Sequence, residues 1–440
     1  MKTLYQKTIL FPFLLFSCFS GWAGGEQLEL RINSGDGIYA KGDTVKITAC
    51  VTGTQTEPYL LQVLTYGQVT EKKEIQLGEG EQLIYAQVFP EKTSVMLKLG
   101  PVSTPKKNEM VGFLVAPEEF HPGFRVPADL RQYWDGELAR LRAQKPKVQI
   151  SPAVGVSEAD AALYKCYKIE INMPEGRPCR GYVAYPKKAK KGTLPIYVHF
   201  HAAGVNRPHV PARAKEVLEM AKKGCIALDI NAHGILDDQD EAYYRELDRG
   251  ELKQYERRDF TGVEDYYFHN MYLRDVRALD YAVTLPLWDG KRILLQGGSQ
   301  GGGQSLAVAG IFGKVSHVCV IYPAITDTGA SLDGRRPGWP ASVNSRYAGT
   351  ELGHGMMAYH DAAILASLFT GALHIEAGNI DTVQNPAAVT AAYNNAVNCS
   401  EKELFFYPWC GHSGPVAAKK GEWEEAVLRF RNQFIQEALK

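Results

Sequence analysis

The run "RILLQGGSQGGGQSLAVAG", Arg292 to Gly310, sets Ser299 and Gln300 among five glycines, Gly297, Gly298, Gly301, Gly302 and Gly303. Glycine is costly inside regular structure and is used where the backbone needs a positive φ or a close approach, so the chain turns hard here. Gly297, Ser299 and Gly301 match G-x-S-x-G, with an apolar strand-like run (Ile293 to Leu295) before them and a helix-like segment after. That context fits a serine raised as a nucleophile in a strained turn. A phosphate-cradling loop fits less well, because no GK[ST] follows. The helix start behind Ser299 aims its dipole at a developing oxyanion, and the amide of Gln300 can donate to it.

A serine hydroxyl is a poor nucleophile at neutral pH unless a histidine takes its proton and a carboxylate orients that histidine. After "ALHIEAG" comes "NIDTVQNP", which sets Asp381 between a strand and a helix; after "ELFFYP" comes "WCGHSG", which sets His412 between the last long strand and the terminal helix. Asp327 also follows a strand, "VCVIYP", and is the rival acid. Among the other histidines after Ser299, His374 lies within a strand, and His317, His354 and His360 lack the strand-loop-helix setting. Earlier, "YVHFHAAGVNRPH" offers His199 and His201, which would share one strand face, but no acidic "DH" follows. They read as structural histidines, with no metal expected. The small residues Ala202, Ala203 and Gly204 after this strand let a backbone amide, that of Ala203, serve as a second oxyanion donor.

The elements that must carry these groups alternate from about residue 119 onward. "LPIYVHF", "CIALDI", "RILLQ", "VCVIYP", "ALHIEAG" and "ELFFYP" are short β-branched or aromatic runs suited to a mostly parallel sheet buried on both faces. Between them lie helical segments such as "PARAKEVLEMAKKG", "MYLRDVRALDYAV" and "NPAAVTAAYNNAV". The order and setting of Ser299, Asp381 and His412 on such a frame predict an α/β-hydrolase three-layer domain over residues 119–440. It opens with a helix in which Leu130, Tyr133, Trp134, Leu138 and Leu141 share a face and Asp129 is placed to cap. Residues 24–118 read differently: "LELRI", "TVKITACV", "YLLQVLTY", "EQLIYAQVF" and "SVMLKL", separated by turn residues, predict a small Ig-like β-sandwich. Its aromatics read as core residues rather than a sugar platform.

The chain has 440 residues, with 49 basic and 49 acidic side chains. That balance gives no field for nucleic acid or an anionic membrane and points to a small or neutral partner. Residues 1–23 combine Lys2 and Lys7 with an apolar run from Ile9 to Phe16 and small residues up to Ala23. They read as a secretory leader, too short to span a bilayer, so the mature protein is expected to be exported, periplasmic or secreted. Lipidation at Cys18 is the minor alternative. The seven remaining cysteines form no CxxC pair, so neither a zinc ribbon nor a disulfide framework is expected, and Cys225 and Cys319 read as core.

From Pro127 to the C-terminus the chain resembles the acetyl xylan esterase and cephalosporin-C deacetylase family, carbohydrate esterase family seven. "GGSQGGG", "YYFHNMYLRDVRALDYAV", "GNIDTVQNPAAVTAAYN", "YPWCGHSG" and "VPADLRQYWDGEL" carry the resemblance. It implies an α/β-hydrolase that deacetylates sugars and small esters without a cofactor, in a family whose members are often hexamers. It also maps the family's triad onto Ser299, Asp381 and His412 and its oxyanion amides onto Gln300 and Ala203. The chain departs from the family where "HGY" becomes His201, Ala202 and Ala203, where "RGQG" becomes "NAHG" at Asn231 to Gly234, and where "GHE" ends in Ser413. The sandwich is an addition. Two other readings stand beside the esterase. One is a serine peptidase of the prolyl-oligopeptidase type, for whose propeller the N-terminal stretch is too short. The other is a non-catalytic carbohydrate-binding protein on a hydrolase scaffold, which has no need of all three groups in order.

Overall fold

The computed structural model describes residues 20–21, 27–53, 57–104, 106–207, 210–258, 262, 264–341 and 355–440. The leader expected over residues 1–23, with Cys18, lies outside the described residues apart from the strand Ser20–Gly21, and so does His354. Among the described residues no helix is long and apolar enough to cross a membrane.

Two sheets fill the N-terminal part. One runs, in spatial order, Ser20–Gly21, Gln27–Ile32, Thr44–Thr52, Gly80–Val88; the other runs Ile38–Tyr39, Glu109–Val115, Thr93–Pro101, Tyr59–Thr65, Gln68–Ile75. Every join is antiparallel except that of Ile38–Tyr39 to Glu109–Val115. The period of two along "TVKITACV" turns Val45, Ile47 and Ala49 inward, where they meet Leu61, Val63, Leu97, Leu99 and Phe113 of the facing sheet in one apolar cluster. The strand Gln68–Ile75 gave no sequence signal because nearly all of it faces solvent.

The second part is built on nine strands in the order Val148–Pro152, Tyr164–Ile171, Cys179–Pro186, Ile226–Ile230, Leu194–Phe200, Trp288–Gly298, His317–Ile321, Ala372–Gly378, Glu401–Tyr407. The first three joins are antiparallel and the remaining five parallel. Helices cover both faces. Leu130–Ala143, Tyr267–Ala282, Gln300–Phe312 and Pro386–Asn395 pack with Ile196, Val198, Leu295 and Val320 on one side. Ala214–Ala221 and Asn432–Leu439 pack with Tyr197, Ala227, Leu294 and Cys319 on the other. This is an α/β-hydrolase fold preceded by a β-region, and all seven described cysteines are free thiols, with Cys225 and Cys319 fully buried.

One local expectation fails. Asp129 occupies the N-cap position of Leu130–Ala143 but makes no side-chain cap bond; its Oδ1 instead accepts from the Tyr359 hydroxyl at 2.6 Å. The hydroxyl competes with the helix amides for the same oxygen and wins.

The two parts meet where the parallel strands end. The Gly112 amide donates to the Pro408 carbonyl at 2.8 Å, and Leu64 and Met96 pack on Ile380. Asn379 Nδ2 reaches the carbonyls of Asp36 and Gly112 at 3.4 and 3.5 Å. A Cβ on Gly112 would lie 2.1 Å from the Asn379 carbonyl oxygen, so only glycine permits this approach.

Candidate active site

Ser299 stands at the end of the strand Trp288–Gly298 with φ 52° and ψ −122°, a conformation that costs a non-glycine residue roughly 1–3 kcal/mol. Its backbone is held on both sides: its amide donates to Ile321 O at 2.9 Å, and its carbonyl accepts from Ala324 at 2.8 Å and Gly303 at 3.1 Å. The flanking glycines have a steric cause. A Cβ on Gly297 would lie 2.3 Å from Gly301 C, and one on Gly301 would lie 2.0 Å from Phe200 O. The helix Gln300–Phe312, buried along its whole length, can thus lie directly against the strand Leu194–Phe200.

The structure brings the three expected side chains together. His412 Nε2 lies 2.8 Å from Ser299 Oγ, and His412 Nδ1 lies 2.7 Å from Asp381 Oδ2. Asp381 follows the strand Ala372–Gly378, and its other oxygen accepts from the amides of Val383 and Gln384, each at 2.8 Å. With Oδ1 occupied, Oδ2 is left for the imidazole. His412 sits in the hairpin of Cys410–Gly411 and Gly414–Pro415, and the Ile380 amide donates to Cys410 O at 3.1 Å, tying its loop to that of Asp381.

The rivals are engaged elsewhere. Asp327 is fully buried, accepts from the Gly123 amide at 2.7 Å and pairs with Arg335; burial pushes its carboxyl up to about 7 against the pull of that arginine. His374 is fully buried between Glu376 and Glu403, His360 is fully buried against His269, and His317 bonds Ser316.

A polar chain, only partly visible in sequence, runs behind the serine. The Tyr255 hydroxyl donates to Gln300 Oε1 at 2.5 Å and accepts the Gly204 amide at 3.3 Å. Gln300 Nε2 donates to Gln304 Oε1 at 3.2 Å, and Gln304 Nε2 to Asp275 Oδ2 at 2.7 Å. The Gly204 carbonyl accepts from His233 Nε2 at 2.9 Å. A carbonyl only accepts, so that nitrogen carries the proton; burial pushes the imidazole down to about 3, leaving Nδ1 to accept from the Tyr267 hydroxyl at 2.8 Å. Gly204 is therefore gripped at both its N–H and its C=O, one residue beyond Ala203. Among the described residues neither the Ala203 nor the Gln300 amide donates to a protein acceptor. His233 lies in the "NAHG" departure and could have been suspected there; Tyr255, in a polar loop, gave no signal.

The HxH pair also has a partner that sequence did not reveal. Asp229, on the neighbouring parallel strand in register with His199, sets Oδ1 3.0 Å from His199 Nδ1 and 2.7 Å from His201 Nε2.

Known proteins agree with this frame. The sequence model of the acetyl xylan esterase (AXE1) family matches residues 114–333, half of the chain, a span that includes Ser299 and stops short of Asp381 and His412. The acetyl esterase Axe7A of Xylanibacter ruminicola is 28% identical over 376 residues, covering 82% of each chain. Two solved structures share the fold. The acetyl xylan esterase from Paenibacillus sp. R4 has a TM-score of 0.57 and 23% identity over 76% of this chain and 100% of its own. Acetyl xylan esterase 1 from Thermoanaerobacterium sp. JW/SL YS485 has a TM-score of 0.55 and 20% identity over 74% of this chain and 98% of its own. The chain belongs to the acetyl xylan esterase family and is a carboxylic ester hydrolase.

Proposed function

We propose that this protein is an exported serine esterase that removes acetyl groups from carbohydrate esters, with Ser299, His412 and Asp381 as its catalytic residues. The observation that carries the reading is the unbroken chain Ser299 Oγ, His412 Nε2, His412 Nδ1, Asp381 Oδ2, with links of 2.8 and 2.7 Å, on a serine of positive φ. Ser299 Oγ attacks the acetyl carbonyl as its proton passes to His412 Nε2, and Asp381 stabilises the imidazolium. The oxyanion accepts from the amides of Gln300 and Ala203, where each donor contributes about 10²–10³ in turnover. His412 then returns the proton to the departing sugar oxygen, leaving acetyl-Ser299. Water attacks this ester, giving its proton to His412; acetate leaves as Ser299 regains a proton.

Export rests on the leader pattern of residues 1–23, and residues 24–118 are proposed as an accessory module. The test is acetate release by the chain from Gly24 onward, acting on 4-nitrophenyl acetate and on acetylated xylo-oligosaccharides, beside Ser299→Ala. The variant is expected to fold and to lose turnover by about 10⁶-fold. Hydrolysis retained by Ser299→Ala would remove Ser299 from the mechanism. Activity on the small ester alone would keep the mechanism and move the substrate to other acetylated glycans.

A further inference from the structure

We propose that His199, His201 and Asp229 form a divalent transition-metal site that staples the loop carrying Ala203. Three donor atoms converge there, His199 Nδ1, His201 Nε2 and Asp229 Oδ1, all within 4.8 Å of one another. Asp229 is 1% exposed in an otherwise apolar strand, and the only side chains within ion-pair distance of its carboxylate among the described residues are these two imidazoles. Its second oxygen accepts the Arg213 amide at 2.8 Å, so the carboxylate is fixed with Oδ1 facing the histidines. Such outer bonds orient metal-binding carboxylates.

The spacing suits an ion. Ligands about 2.1 Å from a metal at right angles to one another stand about 3.0 Å apart, and the carboxylate oxygen lies 3.0 and 2.7 Å from the two nitrogens. Two imidazoles and a carboxylate on one side of the ion leave the other side open, a donor set that favours Zn²⁺, Mn²⁺, Fe²⁺ or Co²⁺ over Ca²⁺ and Mg²⁺. The open side has somewhere to face: His199 and Asp229 line a cavity of about 150 Å³, together with Glu216, Glu219 and Gln296. Water and those carboxylates can complete the coordination there.

The position gives the ion its role. His201 begins the loop to Ala203, and its carbonyl oxygen would lie 2.9 Å from a Cβ on Gly301, so it packs on the first turn behind Ser299. The cavity lies on the face covered by Ala214–Ala221, and Ser299 does not line it. The ion therefore holds the strand end and loop in place and touches no reacting atom.

The experiment uses the full mature chain freed of metal by chelation and titrated with Zn²⁺ and with Co²⁺. Expected are one saturable ion per chain, a cobalt spectrum without the thiolate charge-transfer band that the free cysteines would give, and a rise in Tm of a few degrees once metal exceeds Kd about a hundredfold. His199 is a third exposed, so His199→Ala should fold and is expected to weaken binding by at least about 10–100-fold. Turnover of 4-nitrophenyl acetate at 25 °C should change less than about twofold on chelation, because Gly204 beside Ala203 stays gripped by Tyr255 and His233 without the ion. Absence of saturable binding, binding unchanged in His199→Ala, or a thiolate band would each overturn the proposal. None of these outcomes depends on whether Ser299 is the nucleophile.

Discussion

Replacing Tyr255 by phenylalanine deletes one oxygen that serves two neighbours of the proposed oxyanion pocket. Gln300 is fully buried, and its Oε1 takes its bond from this hydroxyl at 2.5 Å; the Gly204 amide gives its bond to the same oxygen at 3.3 Å. A buried polar atom left without its partner costs about 1–3 kcal/mol, with the longer bond at the lower end, so the change removes about 2–4 kcal/mol of interaction. Part of this loss lowers global stability. The rest loosens Gly204, which is then held only at its carbonyl by His233, and lets the Ala203 amide drift from its aim. Because the oxyanion exists only in the transition state, the loss falls on kcat while KM stays close to wild type. A complete donor is worth about 10²–10³, so a partly misaimed one is expected to cost about 10–10²-fold. The assay is kcat and KM on 4-nitrophenyl acetate well below the Tm of both proteins, with Tm followed by circular dichroism. His233→Asn, acting on the carbonyl of the same residue, should couple to Tyr255→Phe in a double-mutant cycle rather than add. A fall in Tm with unchanged kcat would reduce Tyr255 to packing and refute the clamp.

Two further changes probe buried charge. Asp275 is fully buried, and burial pushes its carboxyl up to about 8, so the native state holds a proton that the unfolded chain releases near pH 4. A raised carboxyl pKa makes stability fall as pH climbs from about 4 to about 8. Asp275→Asn should flatten that decline and exceed wild type at pH 8 by a few kcal/mol in urea unfolding; parallel pH slopes for the two proteins would show the burial argument to be wrong. Glu376 is buried against Arg431 at 2.6 and 2.5 Å and His374 at 3.1 Å. Arg431→Met strands that carboxylate and is expected to cost about 3–5 kcal/mol, much of it recovered by adding Glu376→Gln. A loss below about 1 kcal/mol would mean that His374 alone balances the charge.

Some of this geometry was legible because local and distant demands coincide. Ser299 is flanked by Gly301, which the close contact with Phe200 O requires, and by Gly297, which the close contact with Gly301 requires, and Asp381 and His412 each follow a recognisable strand. What depends on register between distant segments could not be read. His199 and His201 were visible, but their carboxylate lies about 30 residues away and joins them only through the pairing of two parallel strands. The edge strand Val148–Pro152 is exposed along its length and carries no apolar run to announce it. At Asp129 the residue type was right for a cap, yet Tyr359, far along the chain, took the oxygen. Propensity yields to tertiary competition at such positions.

The contact between the N-terminal sheets and the strand ends also bears on how this protein can be cut or recombined. Leu64 and Met96 rest on Ile380, the neighbour of Asp381, while Asn379 hangs from the backbone of Asp36 and Gly112. A fragment starting at residue 119 would bare an isoleucine beside Asp381, the proposed acid, and unfasten the loop that carries it. On these contacts the proposed front module is expected to act as a buttress, not a bead on a string. A foreign module could replace it only by presenting a bare backbone where Gly112 now sits.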